Sequence, residues 1–201
     1  MESYITIEEM MEMEVKELHQ IIESEDKDGT IGQKEYWQEL WNYFVEESGA
    51  DYHGMEVKEA LPRLISELNY RKRRYLSNCT EMGVNIRKGD ICFIDYGSAY
   101  VNEIGYQHFG LIITIFHNKA FVVPMSGNSG AYRHAYCKEN PKGKRHLMRL
   151  GKMKGMNKES VLFINDAKWI NTARIIDVKA HLDHQSELFI EIKERVKKCL
   201  D

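Results

Sequence analysis

Between Ile86 and Ser126 the chain reads IRKGDICFIDYGSAYVNEIGYQHFGLIITIFHNKAFVVPMS, and no other stretch restricts the fold as much. Asp90–Asp95 is short, apolar and β-leaning. Gly110–Phe116 is a seven-residue run of buried-strand character. His117, Asn118 and Lys119 form a turn signal, and Ala120–Met125 is apolar again. Three locally joined strands predict a small meander. The segment between the first two reads as a long polar loop carrying Tyr96, Tyr100, Glu103, Tyr106, Gln107 and His108. Loops held on a rigid sheet are where chemistry concentrates. Aromatic rings, a carboxylate and an imidazole together fit a polymer with stackable groups and phosphates.

At 201 residues the chain suits one domain with an appended segment, or two small domains. No run approaches the roughly 20 apolar residues of a membrane-spanning helix. The opening MESYITIEEMMEMEVKEL is acidic and lacks the basic start and apolar centre of a secretion signal. The four cysteines, Cys79, Cys92, Cys137 and Cys199, lie far apart without a CxxC pair, so reduced thiols in a cytoplasmic protein are expected, with no metal site. The net charge of −3 hides a division. Residues 1–60 hold 17 acidic and 4 basic side chains, a net of −13; residues 61–201 hold 14 and 24, a net of +10. An acidic front and a basic body fit polyanion binding by the body, or two ordinary solvated faces.

Before the meander the pattern is helical. Residues 5–24 place Met10, Met11, Val15, Leu18, Ile21 and Ile22 near helical spacing. Lys34–Glu47 puts Tyr36, Trp37, Leu40, Trp41, Phe44 and Val45 on one face, and Ser48–Gly54 reads as a break. Glu56–Asn69 predicts a third helix with Val57, Leu61, Leu64, Ile65 and Leu68 inside, although Pro62 falls within it. Arg71–Arg74 ends this region. Residues 1–80 are therefore expected as a helical extension and 86–201 as a β-rich domain. Beyond the meander, residues 127–145 read as a long Gly- and Lys-rich loop, Val161–Ile164 and Ala173–Val178 as strands, and His184–Leu200 as a closing amphipathic helix. The tract from Lys142 to Lys154 is dense in basic residues, as a polyanion contact or a solvated loop would be.

Two constellations carry chemistry. Ser24–Glu35, SEDKDGTIGQKE, resembles an EF-hand loop, with Asp26, Asp28, Gly29, Thr30, Ile31 and Glu35 at the third, fifth to eighth and twelfth positions. Its first position is Ser24 rather than Asp and no second loop pairs with it, so an acidic turn between helices fits it better. Glu103, His108 and Ser126 form the second set. Metal-free RNA cleavage needs a base for the 2′-hydroxyl, an acid for the leaving 5′-oxygen and donors for the phosphorane charge. A histidine can act near neutral pH as acid or base. A hydrogen-bonded loop histidine and a turn serine are the alternative reading.

Residues 86–201 resemble the MazF/PemK (Kid) family of endoribonuclease toxins. Arg87–Asp95, RKGDICFID, looks like the family's opening strand. Asn102–Ile113, NEIGYQHFGLII, resembles its S-E-x-G-x-x-R-P segment, and Val122–Ser126, VVPMS, the strand ending in its catalytic Thr or Ser. Lys158–Ile175, KESVLFINDAKWINTARI, is similar to a later strand with a basic residue and a final R-(L/I); His181, Leu182, Asp183 and the last helix fit its ending. The resemblance implies an α+β fold: an SH3-like β-barrel with a C-terminal helix, here preceded by the helical segment. It implies a homodimer that cleaves single-stranded RNA without metal or cofactor, leaves 2′,3′-cyclic phosphate and 5′-hydroxyl ends, and is held by an antitoxin protein, with no membrane or DNA partner. Carried over by position, His108, Ser126 and Glu103 are catalytic, and Arg87, Lys88, Tyr96, Tyr100, Tyr106, Gln107 and Lys168 contact RNA.

The chain departs from the family where it matters most. His108 stands where the family has its catalytic Arg, and Phe109 where it has Pro. Arginine offers phosphate a permanently charged fork, which histidine does not. A toxin-like module that binds RNA or protein without cutting is thus the alternative. Residues 1–80 have no counterpart in the minimal toxin and read as a packed helical extension or an acidic cover over the RNA groove.

Overall fold

A computed structural model describes residues 6–24 and 28–199, which divide into two compact units, 1–60 and 61–201. The first holds α1 (Ile7–Glu12), α2 (Val15–Ser24) and α3 (Glu35–Gly54). Thr6 and Glu9 close a reciprocal capping box that starts α1. The expected single helix over 5–24 is thus two short ones. In contrast, α3 runs through the expected break at Ser48–Gly54, because a helical glycine costs only about 1 kcal/mol. Trp41 and Phe44 stack at 5.5 Å yet stay about half exposed. Of the other large apolar residues on this face, Trp37 and Leu40 are half-buried and Val45 is exposed. Within the EF-hand-like segment, Asp26 lies outside the described residues. Thr30 N–H donates to Gln33 Oε1 at 2.8 Å, a helix-start device just before α3.

α4 (Val57–Arg73) crosses the division, and from Leu61 on it belongs to the sheet-bearing unit. Its strands are β1 (Asp90–Asp95), β2 (Gln107–Phe116), β3 (Lys119–Ser126), β4 (Ala135–Tyr136), β5 (Lys144–Gly151), β6 (Ser160–Phe163), β7 (Lys168–Asn171) and β8 (Ile175–His181). Short α5 (Ser129–His134) precedes β4, and α6 (Glu187–Lys197) closes the chain. Among the described residues these form one eight-stranded sheet ordered β4-β5-β6-β3-β2-β1-β8, with β7 pairing the free half of β3. All pairs are antiparallel except β4–β5. The path is open, with no ladder between β4 and β8 among the described residues; the architecture is mixed α+β. No helix of the described residues is long and apolar enough to cross a membrane.

The central part of the meander is apolar without alternation because both sheet faces are covered there. Ile91, Leu111, Val123 and Met125 enter one cluster with Phe189, Ile192 and Val196 of α6. Cys92, Ile94, Ile112, Ala120 and Val122 enter a second, with Tyr96, Ile170 and Ile175. The α6 anchors recur at helical spacing after Ser186, which caps the helix by accepting from Phe189 N–H at 3.3 Å. Each such burial contributes about 1.5–3 kcal/mol.

Two expectations change here. β5 occupies a tract read as loop and basic patch; its Lys144, Arg145, His146 and Arg149 hide the buried Leu147, Met148 and Leu150. α4 is turned the other way from its hydrophobic pattern. Val57, Leu61, Leu64, Ile65 and Leu68 lie about half or more exposed, whereas Pro62, Ser66, Asn69 and Arg73 face the sheet. A buried carboxylate takes precedence. Asp95, 3% exposed, accepts from Ser66 Oγ at 2.7 Å, Asn69 Nδ2 at 2.9 Å and Gly97 N–H at 3.1 Å. An ionised carboxylate away from water requires such donors. Arg73 adds bonds to the carbonyls of Ala173 and Ile175.

Candidate active site

Register builds the site. Phe109 pairs with Met125 across β2 and β3, so the residues one step further along, His108 and Ser126, come side by side at the end of the sheet. His108 also pairs with Ile94 of β1, and Ser126 with Val161 of β6. Both point to the face of the second core cluster, since Ile94 and, two positions before Ser126, Pro124 share that face. Lys168 of β7 joins them there, paired with Val122. His108 was expected on a loop; it is the second residue of β2, which begins three residues earlier than its apolar run.

The connecting loop is tied at its root and along its length. Tyr96 N–H donates to Tyr106 O at 2.8 Å and Tyr106 N–H to Gly97 O at 2.7 Å. Tyr106 takes the left-handed conformation (φ 52°) to make this closure. Ile104 N–H donates to Asp166 Oδ2 at 2.6 Å, and Asp166 Oδ1 pairs with Lys168 Nζ at 2.7 Å. Asp166 therefore holds the Glu103 loop and the Lys168 ammonium together. Sequence reading passed over it because a lone Asp in a polar stretch has no spacing signal. Arg174, the arginine of the final R-(L/I) pattern, donates from its guanidinium to the carbonyls of Asp95 and Tyr96 at 3.3 and 2.9 Å, fixing the end of β1.

His108 Nδ1 lies 2.7 Å from the Gly105 carbonyl oxygen. A carbonyl only accepts, so Nδ1 carries the proton, and in the neutral ring Nε2 keeps its lone pair. That is the form a general base requires. Ser126 Oγ accepts from Asn128 N–H at 3.2 Å, and Asn128 caps α5 through Ala131 N–H at 3.0 Å. The serine hydroxyl is thus anchored as an acceptor and keeps its proton to donate. Glu103 is exposed in the loop, and Tyr100 is 87% exposed.

Other expected contacts fall elsewhere. Tyr96 is inside: its ring packs in the second cluster, its hydroxyl has no partner, and a Cβ on Gly110 would lie 2.3 Å from that hydroxyl. It offers no face for a base to stack on. Burial pushes its phenol well above the usual range, and the Asp166 charge adds to this. Gln107 Nε2 donates to Pro62 O at 3.3 Å, away from His108. Arg87 and Lys88 stand beyond the opposite end of β1, about 13 Å of strand from Ile94. Arg87 pairs with Asp90 there, and Lys88 lies over the Phe189 ring.

No family model matches this chain, and no curated protein matches it. Among solved structures it is similar to the Mycobacterium tuberculosis toxin MazF-mt6, at 13% identity over 56% of this chain and 96% of that one, with a TM-score of 0.39. A likeness at that level carries no argument about activity.

Proposed function

We propose that residues 86–201 act as a toxin-like, metal-independent endoribonuclease on single-stranded RNA. One observation carries the reading: His108 and Ser126, the positions singled out by the family resemblance, stand one step beyond the Phe109–Met125 pair on adjacent strands and share one sheet face, with Lys168 on that face further along, opposite Val122. His108 Nε2 takes the proton of a 2′-hydroxyl. The O2′–P bond forms, the P–O5′ bond breaks, and the departing 5′-oxygen takes a proton from solvent at the exposed loop. A 2′,3′-cyclic phosphate and a 5′-hydroxyl result. The Ser126 hydroxyl and Lys168 ammonium stabilise the charge on the phosphorane oxygens. Glu103 orients the attacking ribose, and Tyr100 and Tyr106 stack on splayed bases. A homodimer in the cytoplasm, restrained by an antitoxin protein, follows from the same resemblance.

The Gly105–His108 bond and the half-buried Phe93–Phe109 contact, 5.2 Å between rings, also suit a rigid RNA-binding module that does not cut. Incubating the protein with mixed-sequence RNA in EDTA separates the two. Cleavage with cyclic-phosphate ends supports the enzyme; RNA that is bound but intact supports the module.

A further inference from the structure

We infer that the outer surface made by β2, β3 and β7 is a stacking platform for unpaired RNA bases, separate from the His108–Ser126 site. Its rows follow from register. Phe116, Lys119 and Asn171 stand abreast, and Thr114, Phe121 and Trp169 stand abreast in the next row on the same face. The strand positions between them, Ile115, Ala120 and Ile170, turn to the second core cluster on the other side. Phe116 is 67% exposed and Trp169 50% exposed, and the Phe121 and Trp169 rings meet at 5.4 Å. His117 extends the surface, its ring edge-on to Phe116 at 4.4 Å.

The side chains around the rings decide the occupant. The six positions hold three aromatics, one lysine, one threonine and one asparagine, and no carboxylate. Asn171 spends its carbonyl oxygen on Ala173 N–H at 2.8 Å, so its amide protons are what it has to offer. Residues 61–201 carry a net charge of +10. Exposed rings with donors and positive charge between them meet the needs of a single strand, whose bases present π-faces and whose backbone presents anions. A protein partner buried against this surface would have to desolvate Lys119 at its centre. In taking the strand to be RNA, the inference rests on the proposed function.

The test uses the full chain and a fluorescein-labelled 2′-O-methyl octa-adenylate, which lacks the attacking hydroxyl, so binding is read without cleavage. Trp169→Ala and Phe116→Ala should each weaken binding about five- to 140-fold, the loss of one stacked base. Trp169→Phe should recover most of the affinity. Equal affinity in wild type and both alanine variants overturns the inference, and if those variants still cut unmodified RNA, the proposed function survives it. The same affinities with a shift from dimer to monomer in sedimentation would mark a self-interface and also overturn it. A wild-type protein that neither binds this strand nor cuts RNA removes both readings.

Discussion

His108 is where chemistry and local structure meet. Its Nδ1 is committed to Gly105 O, so a proton-transfer role belongs to Nε2 alone. His108→Ala should lower RNA cleavage by about 10²–10⁴ while the fold is kept; an unaltered rate in a gel assay would remove it from the mechanism. Tyr96 gives a stability prediction of opposite sign. Its buried hydroxyl lacks a partner, so Tyr96→Phe should raise the unfolding free energy by about 1–3 kcal/mol in urea titrations. Burial, and secondarily the Asp90 charge, pushes the Cys92 thiol far up, and burial likewise raises Cys79. The folded state then keeps protons that the unfolded chain releases above about pH 9, so stability should fall as pH rises past that point. At pH 8 exposed Cys199 should alkylate quickly, and Cys79 and Cys92 only on unfolding. Mass spectrometry of iodoacetamide-treated protein checks this. Tyr96 also marks a limit of sequence reading: a tyrosine after a strand looks the same whether its ring turns to solvent or into the core.

Strands wrapped in core were legible, and elements shaped by polar contacts were not. β1 was bounded as Asp90–Asp95 from sequence because both its faces are buried. β2 was shortened to its apolar part, and that displaced Gln107 and His108 onto a loop. β5 was lost under its charges, and the orientation of α4 was inverted because Asp95 outweighs five apolar side chains that a periodicity argument would bury. The candidate pair His108 and Ser126 was legible from its residue types and given weight by the family resemblance; its placement on adjacent strands depends on the β2–β3 register, which a turn at His117–Lys119 sets. Removing donors from the Asp95 carboxylate should therefore cost more than their exposure suggests. Ser66→Ala and Asn69→Ala should each destabilise by about 1.5–3 kcal/mol, measured by denaturant unfolding. Losses under about 0.5 kcal/mol would mean that water replaces both donors.

At the scale of the whole molecule, the division at Ala60 and Leu61 matters for any truncation. A chain beginning at Val57 keeps the Ser66, Asn69 and Arg73 contacts; one beginning at Ser77 loses them and should melt several degrees lower. Losing the acidic residues also moves the net charge from −3 to about +10. The longer truncation product should therefore bind RNA more tightly than the full chain at low ionic strength, with the gap closing toward 0.5 M salt as screening shortens. Equal affinities at low salt would show that the acidic front does not influence the RNA surface.

The way α4 is attached has one more consequence. Its link to the sheet is made of hydrogen bonds, with the leucines and isoleucine of its stripe already half in water. Lifting the helix off would uncover little new hydrocarbon, and the heat capacity and denaturant sensitivity of an opening scale with such surface. Backbone amides of α4 should thus exchange with deuterium through an excursion whose free energy barely changes with urea, while those of β2 and β3 follow the steep slope of global unfolding.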